Sequence, residues 1–142
     1  MPVMLNPYFT FRDTAEEAMT YYRSVFGGEL TISRFGEYGA GDGPAEQDAE
    51  QDKVMHAMLT TGDGLVLMAS DTPDGMDLTV GDNVSVSVGG DDEAVLRRWW
   101  DGLTADGTVT MPLEPAPWGG LFGMCTDRFG IHWMLSIGDG TS

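Results

Sequence analysis

The sequence has little cysteine, little positive charge and no long apolar run. Its single cysteine, Cys125, excludes an internal disulfide framework and fits a reducing compartment. No apolar run approaches the roughly 18 residues that a membrane helix needs. The first residues lack the basic and apolar regions of a signal peptide. Together these absences predict a cytoplasmic protein that does not interact with membranes.

Positive charge is scarce because seven lysine and arginine residues stand against 23 aspartate and glutamate residues, a net charge of −16. A surface of this sign repels phosphate backbones and anionic membranes, so we expect no nucleic-acid partner. It attracts cationic ligands, although an acidic surface also serves simply to keep a protein soluble. Five of the 23 acidic residues cluster in residues 39–52, which we predict to be a long loop that is either a lid or disordered.

The first half of the chain predicts one helix among short strands. Twenty glycines and seven prolines in 142 residues already favour strands and turns within one domain. Asp13 is predicted to cap the helix, with Glu16 completing a capping box, and Gly27 to end it. A Gly62-Asp63-Gly64 sequence predicts a tight hairpin. The strands are predicted at residues 4–11, 30–38, 54–61 and 65–70.

The second half repeats the same order of elements. The alternation in NVSVSV predicts a strand at 83–88, and Asp91 or Asp92 then caps a second helix. Three strands follow, at 108–113, 121–126 and 132–137. The sequence therefore predicts an α+β fold of two βαβββ modules, at about 4–71 and 83–137, in a single domain over 1–142. We expect the two curved sheets to form a ligand-binding cup, with both helices packed outside.

Four segments, in this order and spacing, resemble the PhnB-like branch of the vicinal oxygen chelate superfamily: AEEAMTYYRSVFGGEL, VMHAMLTTGDGLVLMASD, the Trp-Gly of PWGGLFG, and DRFGIHWML. This group is also labelled glyoxalase/bleomycin-resistance-like, and sometimes 3-demethylubiquinone 3-methyltransferase. The resemblance covers roughly residues 4–137. It implies a homodimer whose cup binds a small molecule, as a drug-sequestering protein does. A methyltransferase is not favoured, because no glycine-rich strand-to-helix turn is present to hold an adenosyl cofactor.

The resemblance also indicates where a metal would bind. Metal-dependent relatives take His, Gln or Glu ligands from the first and last strand of each half. The matching positions in this sequence are Asn6-Pro7-Tyr8, Met68, Asn83 and Met134. None is an ordinary ligand for zinc, nickel, iron or manganese. We therefore expect no metal and no other cofactor, and a cationic or aromatic ligand; the alternative is a metal-dependent lyase, isomerase or dioxygenase with a displaced divalent-metal site.

No catalytic residue can be assigned from the sequence. The resemblance implies that His56 faces the cup, and His132 shares a strand face with Met134, although each could instead bond a neighbouring carbonyl or carboxylate. Trp118 lies in a Pro/Gly-rich loop where core packing does not demand an indole, so ligand or dimer contact is an equal explanation. The predicted ligand-binding residues are His56, Met68, Ser70, Asp71, Trp118, Phe122, His132 and Met134.

Two further side chains have competing interpretations. Asp71 ends its strand, where an aspartate can cap a turn as well as contact a ligand or act as a base. Cys125 lies in the seventh predicted strand with no histidine beside it, which favours a buried, inert thiol over a nucleophile.

Overall fold

The structure is a computed structural model that describes residues 3–38 and 52–138. The chain divides into two units, one up to Thr79 and one from Val80. In the described residues each unit holds one helix of at least three turns and one open, mixed sheet of four strands. The predicted α+β class with two βαβββ modules is therefore confirmed. The cup stays a prediction, and the predicted acidic loop lies outside the described residues except for Asp52.

The first module consists of β1 (Tyr8–Phe11), α1 (Ala15–Phe26), β2 (Glu29–Arg34), β3 (Val54–Thr60) and β4 (Val66–Asp71). Its strand order is β1-β4-β3-β2, with β1 parallel to β4 and the other pairs antiparallel. A 3-10 turn, Phe35–Tyr38, occupies the end of the longer strand that the sequence predicted. The predicted hairpin is confirmed, because the Thr61 N–H donates to the Leu65 carbonyl across it.

Alternation along these strands separates a buried face from an open face. The buried face packs on α1, as the Phe9 and Tyr22 rings show at a centroid distance of 5.7 Å. Removing these side chains from water is the main stabilising contribution to the module. The buried members of α1 are Ala15, Ala18, Met19, Tyr22 and Phe26.

Helix α1 begins in a different way from the prediction. The capping box between Asp13 and Glu16 is not formed, since Asp13 has a left-handed backbone with φ of 70°. The N–H of Ala15 instead donates to Oδ1 of Asp71 at 2.9 Å. A carboxylate at a helix N-terminus also interacts favourably with the helix dipole. The cap is thus supplied from 56 positions later in the chain, which a local sequence motif cannot reveal.

The second module consists of β5 (Val86–Gly90), α2 (Glu93–Thr104), β6 (Thr108–Pro115), β7 (Leu121–Thr126) and β8 (His132–Ile137). Its strand order, β5-β8-β7-β6, matches that of the first module, with β5 parallel to β8. Asp92 caps α2 by accepting the Val95 N–H at 3.2 Å. The bounds of β7 and β8 are as predicted, whereas β5 begins three residues later than predicted because residues 83–85 do not pair with β8.

The buried face of the second sheet packs on α2. Trp133, Leu135 and Ile137 are its buried β8 side chains. A Cβ on Gly123 would lie 2.8 Å from the Trp100 ring, so only glycine lets β7 approach the helix this closely. Neither α1 nor α2 is long and apolar enough to cross a membrane, and no other described helix is.

Candidate functional site

The open face of the first sheet carries a row of apolar side chains. Tyr8 lies opposite Met68, and Met68 lies opposite Met58, across β1, β4 and β3. We call these three residues the first methionine row. The residues at its two ends are largely exposed, Tyr8 at 48% and Met58 at 36%. The His56 ring lies 5.9 Å from the Tyr8 ring. Ser70 follows Met68 on the same face and is half-buried.

The open face of the second sheet has an equivalent row. Met134 lies opposite Met124, and Met124 lies opposite Met111. We call these three residues the second methionine row; Met111 is 45% exposed and the other two are half-buried. A bulge between Val109 and Met111 shifts the register and aligns Met111 with the row. Both modules therefore expose thioethers at matching places in their sheets.

Aromatic and polar side chains extend the second open face. Nδ1 of His132 is 2.9 Å from Oγ1 of Thr126, which fixes the orientation of the imidazole. Phe122 lies on the same face of β7 as Met124. The ring of Trp118, in the hairpin between β6 and β7, meets the Phe122 ring edge to face at 5.4 Å. Trp118 nevertheless remains 70% exposed.

Asp71 is the predicted site residue that lies apart from these faces. Its side chain is buried on the helix side of β4. Oδ1 accepts the Ala15 N–H and Oδ2 accepts the Val54 N–H, each at 2.9 Å. This geometry favours the structural interpretation of Asp71. The other predicted residues are grouped by module: His56, Met68 and Ser70 in the first, and Trp118, Phe122, His132 and Met134 in the second.

Charged side chains gather in a separate pocket of about 280 Å³ in the first module. Lys53, only 8% exposed, lies 2.9 Å from an oxygen of Asp13 and 3.0 Å from one of Asp74. A buried ammonium group needs charged partners, and these two carboxylates supply them. The ion pairs tie the start of α1 to the segment after β4. The pocket is lined by Asp13, Glu16, Arg34, Asp52, Lys53, Val54, Asp71 and Asp74.

Cys125 is free and buried on the helix side of β7. Its burial, and secondly the negative charge of Asp127, raise the pKa of the thiol from 9.0 to about 11. The thiol is therefore protonated at neutral pH, and a protonated thiol is a poor nucleophile. This agrees with the expectation of an inert cysteine.

A family model, the Glyoxalase/Bleomycin resistance protein/Dioxygenase superfamily, matches residues 5–135 of the chain. The chain belongs to this superfamily. Its membership confirms the resemblance that the four sequence segments carry.

Individual relatives place the chain within the superfamily. YjdN of Escherichia coli (strain K12) is 27% identical over 140 residues, which cover 94% of each chain. The crystal structure of protein PA1353 from Pseudomonas aeruginosa is 35% identical, with a TM-score of 0.82 over 96% of this chain and 98% of that one. The PhnB protein from Bacillus cereus is 28% identical, with a TM-score of 0.73 over 95% and 99%. The PhnB-like assignment is thus confirmed.

The residues at the superfamily's metal positions do not fit a divalent metal. Asn83 lies before β5, and Ser87 is the β5 residue opposite Met134, so the fifth-strand position moves to Ser87. The candidate donors are then the Tyr8 phenol, the Met68 and Met134 thioethers and the Ser87 hydroxyl. Zinc, nickel, iron and manganese favour imidazole, carboxylate or thiolate donors. Within 3–38 and 52–138, no group of three His, Cys, Asp or Glu side chains could hold a metal.

Several residues of the open faces are missing from the predicted ligand-binding set. Met58 could have been included, because alternation places it on the face of His56. Met111 and Met124 could not, since their alignment with Met134 depends on cross-strand register and on a bulge. Glu114, which lies opposite Phe122 on β6, was missed for the same reason.

Proposed function

We propose that this superfamily member is a small-molecule-binding protein that takes up an aromatic, preferably cationic, ligand on its open sheet faces without a divalent metal. The two methionine rows carry this proposal. They expose thioether and aromatic side chains on strands whose alternate residues are buried, except on edge strand β6, which is exposed on both faces. Exposed apolar groups arranged in contiguous rows mark surfaces that bind something.

Methionine suits such a surface for a physical reason. Its unbranched side chain and polarizable sulfur adapt to ligands of different shapes and make favourable contacts with aromatic rings. The polar groups beside the rows, His56, Ser70 and His132, can orient a ligand by a few hydrogen bonds. The net charge of −16 favours cationic over anionic ligands.

Binding of the neutral aromatic dye Nile red tests the proposal. We expect saturable binding to the native protein and an affinity about tenfold lower in Met124→Gln, because a ligand would have to desolvate the new amide. Met76→Gln is the matched control, since Met76 is an exposed methionine outside the strands. Equal affinities of both variants and the native protein would show that the rows do not bind the dye.

Metal content of the same preparation separates binding from enzymatic function. After dialysis against nickel, zinc, manganese or iron(II) and removal of the excess, we expect close to no metal per chain. About one metal per chain, lost on changing His56 to alanine, would overturn the metal-free proposal. A metal-dependent lyase, isomerase or dioxygenase would then be the better interpretation.

We also propose that the protein is a homodimer. Val3 and Leu5, in the segment that leads into edge strand β1, are almost fully exposed. A sedimentation mass near twice the 15.3 kDa of one chain is expected at micromolar concentration. Leu5→Glu should lower this mass towards 15.3 kDa, whereas Val84→Glu, at an exposed valine elsewhere, should not. A native mass near 15.3 kDa would exclude the dimer.

A further inference from the structure

We propose that the hairpin between β6 and β7 is an organic-ammonium-binding corner, formed by Trp118, Phe122 and Glu114. This inference rests on the proposed function and names the ligand group that the second open face would recognise. The chemical class is a tertiary or quaternary ammonium attached to an apolar or aromatic body. All three residues belong to one hairpin, so local geometry alone brings them together.

The hairpin backbone holds the corner in place. The Ala116 N–H donates to the Gly120 carbonyl at 2.9 Å, and the Gly119 N–H donates to the Ala116 carbonyl at 3.0 Å. Gly120 has φ of 70°, and a Cβ there would fall on the Ile137 carbonyl oxygen. The turn at the hairpin tip therefore requires glycine, and it returns the chain so that the Trp118 ring lies against Phe122.

The two rings leave an indole face available. The Trp118 and Phe122 rings meet edge to face with their centroids 5.4 Å apart. Trp118 is nevertheless the most exposed of the four tryptophans. Hydrophobic packing alone does not explain an indole that stays 70% exposed. An exposed indole face attracts cations more strongly than any other side-chain ring.

Glu114 adds a negative charge at the same place. It is the direct cross-strand partner of Phe122, and directly opposite residues of an antiparallel pair project from the same face. A second irregularity in β6, between Met111 and Glu114, produces this alignment. No lysine or arginine occurs between residues 99 and 127, so no basic residue of the hairpin competes for the carboxylate or the rings.

The second methionine row continues from this corner. Met124 lies two residues beyond Phe122 on the same face of β7. A ligand whose ammonium group occupies the corner could therefore place its apolar body on the row. This arrangement separates the roles: the corner selects the charge and the row accepts the body.

A pair of isosteric probes tests the corner. Benzyltrimethylammonium and neopentylbenzene have the same shape and differ only in charge. By calorimetry we expect the native protein to bind the cation at least about fivefold more tightly than the neutral probe. Quenching of Trp118 fluorescence by the cation should accompany binding, because the other tryptophans are buried or half-buried.

Charge-removing variants assign the preference to the corner. Glu114→Gln should weaken binding of the cation about threefold and leave the neutral probe unchanged. Glu17→Gln, which removes the same charge from exposed α1, should change neither affinity. Trp118→Ala should abolish the preference for the cation. Circular dichroism spectra and melting temperatures identical to those of the native protein will confirm that these surface variants fold.

Equal affinity for the two probes would overturn the proposed ammonium-binding corner. A similar effect of Glu17→Gln and Glu114→Gln on the affinity for the cation would do the same. The proposed function would survive that result if Nile red still bound to the methionine rows. Loss of both the charge preference and the effect of Met124→Gln on Nile red would instead refute both proposals.

Discussion

Replacing Asp71 with alanine is expected to lower the free energy of unfolding by about 3–5 kcal/mol. Asp71 is buried, and its two oxygens accept the N–H groups of Ala15 and Val54. Both donors are themselves buried, so water cannot replace the carboxylate. Alanine would leave two unsatisfied N–H groups, and it would also remove the negative charge from the N-terminus of α1. Chemical denaturation measures the loss.

Asparagine and a surface aspartate provide the controls for this prediction. Asp71→Asn keeps one acceptor oxygen, so we expect roughly half of the loss seen with alanine. Asp77→Ala, at an exposed position, should change stability by less than about 0.5 kcal/mol. If Asp71 served the ligand instead, Asp71→Ala would keep native stability and lose Nile red binding. That result would restore the original interpretation of Asp71 as a site residue.

Secondary structure was predictable wherever its determinants are local. Strands β7 and β8 and the hairpin after β3 depend on alternation and on turn glycines, and they lie where expected. The start of α1 depends on Asp71, which is far away in sequence, so the capping box predicted from the local motif at Asp13 was wrong. Strand β5 begins later than its alternating valines indicate, because pairing with β8 decides where it starts.

The candidate site was predictable in kind but not in composition. Family resemblance located Met68, Met134 and His56, and alternation from Met134 located His132. Their partners Met58, Met111 and Met124 are joined to them by register, which a single sequence does not contain. Alternation along β4 places Asp71 on the opposite face from Ser70, because the two are adjacent in the same strand. The direction of its side chain therefore assigns Asp71 to the buried face and excludes it from the open face.

The largest effect in the second module is expected from Asp127→Ala, a loss of about 3–5 kcal/mol. Asp127 is buried, and its Oδ1 accepts the N–H of Phe129 at 2.8 Å and that of Ile131 at 3.1 Å. Its Oδ2 accepts the indole N–H of Trp133, also at 2.8 Å. The carboxylate thus shapes the turn before β8 and satisfies an indole that has no access to solvent. Asp82→Ala, at an exposed position, is the control.

A double-mutant cycle with Trp133→Phe resolves the two roles of Asp127. Phenylalanine removes the indole N–H, so Asp127→Ala should cost about 1–3 kcal/mol less in that background than in the native one. The remaining cost measures how much the turn contributes to stability, because the hydrogen bonds from Phe129 and Ile131 are lost in both backgrounds. A coupling energy near zero would mean that the indole bond contributes nothing. The carboxylate would then stabilise the module through the turn alone, and Trp133 only through its buried area.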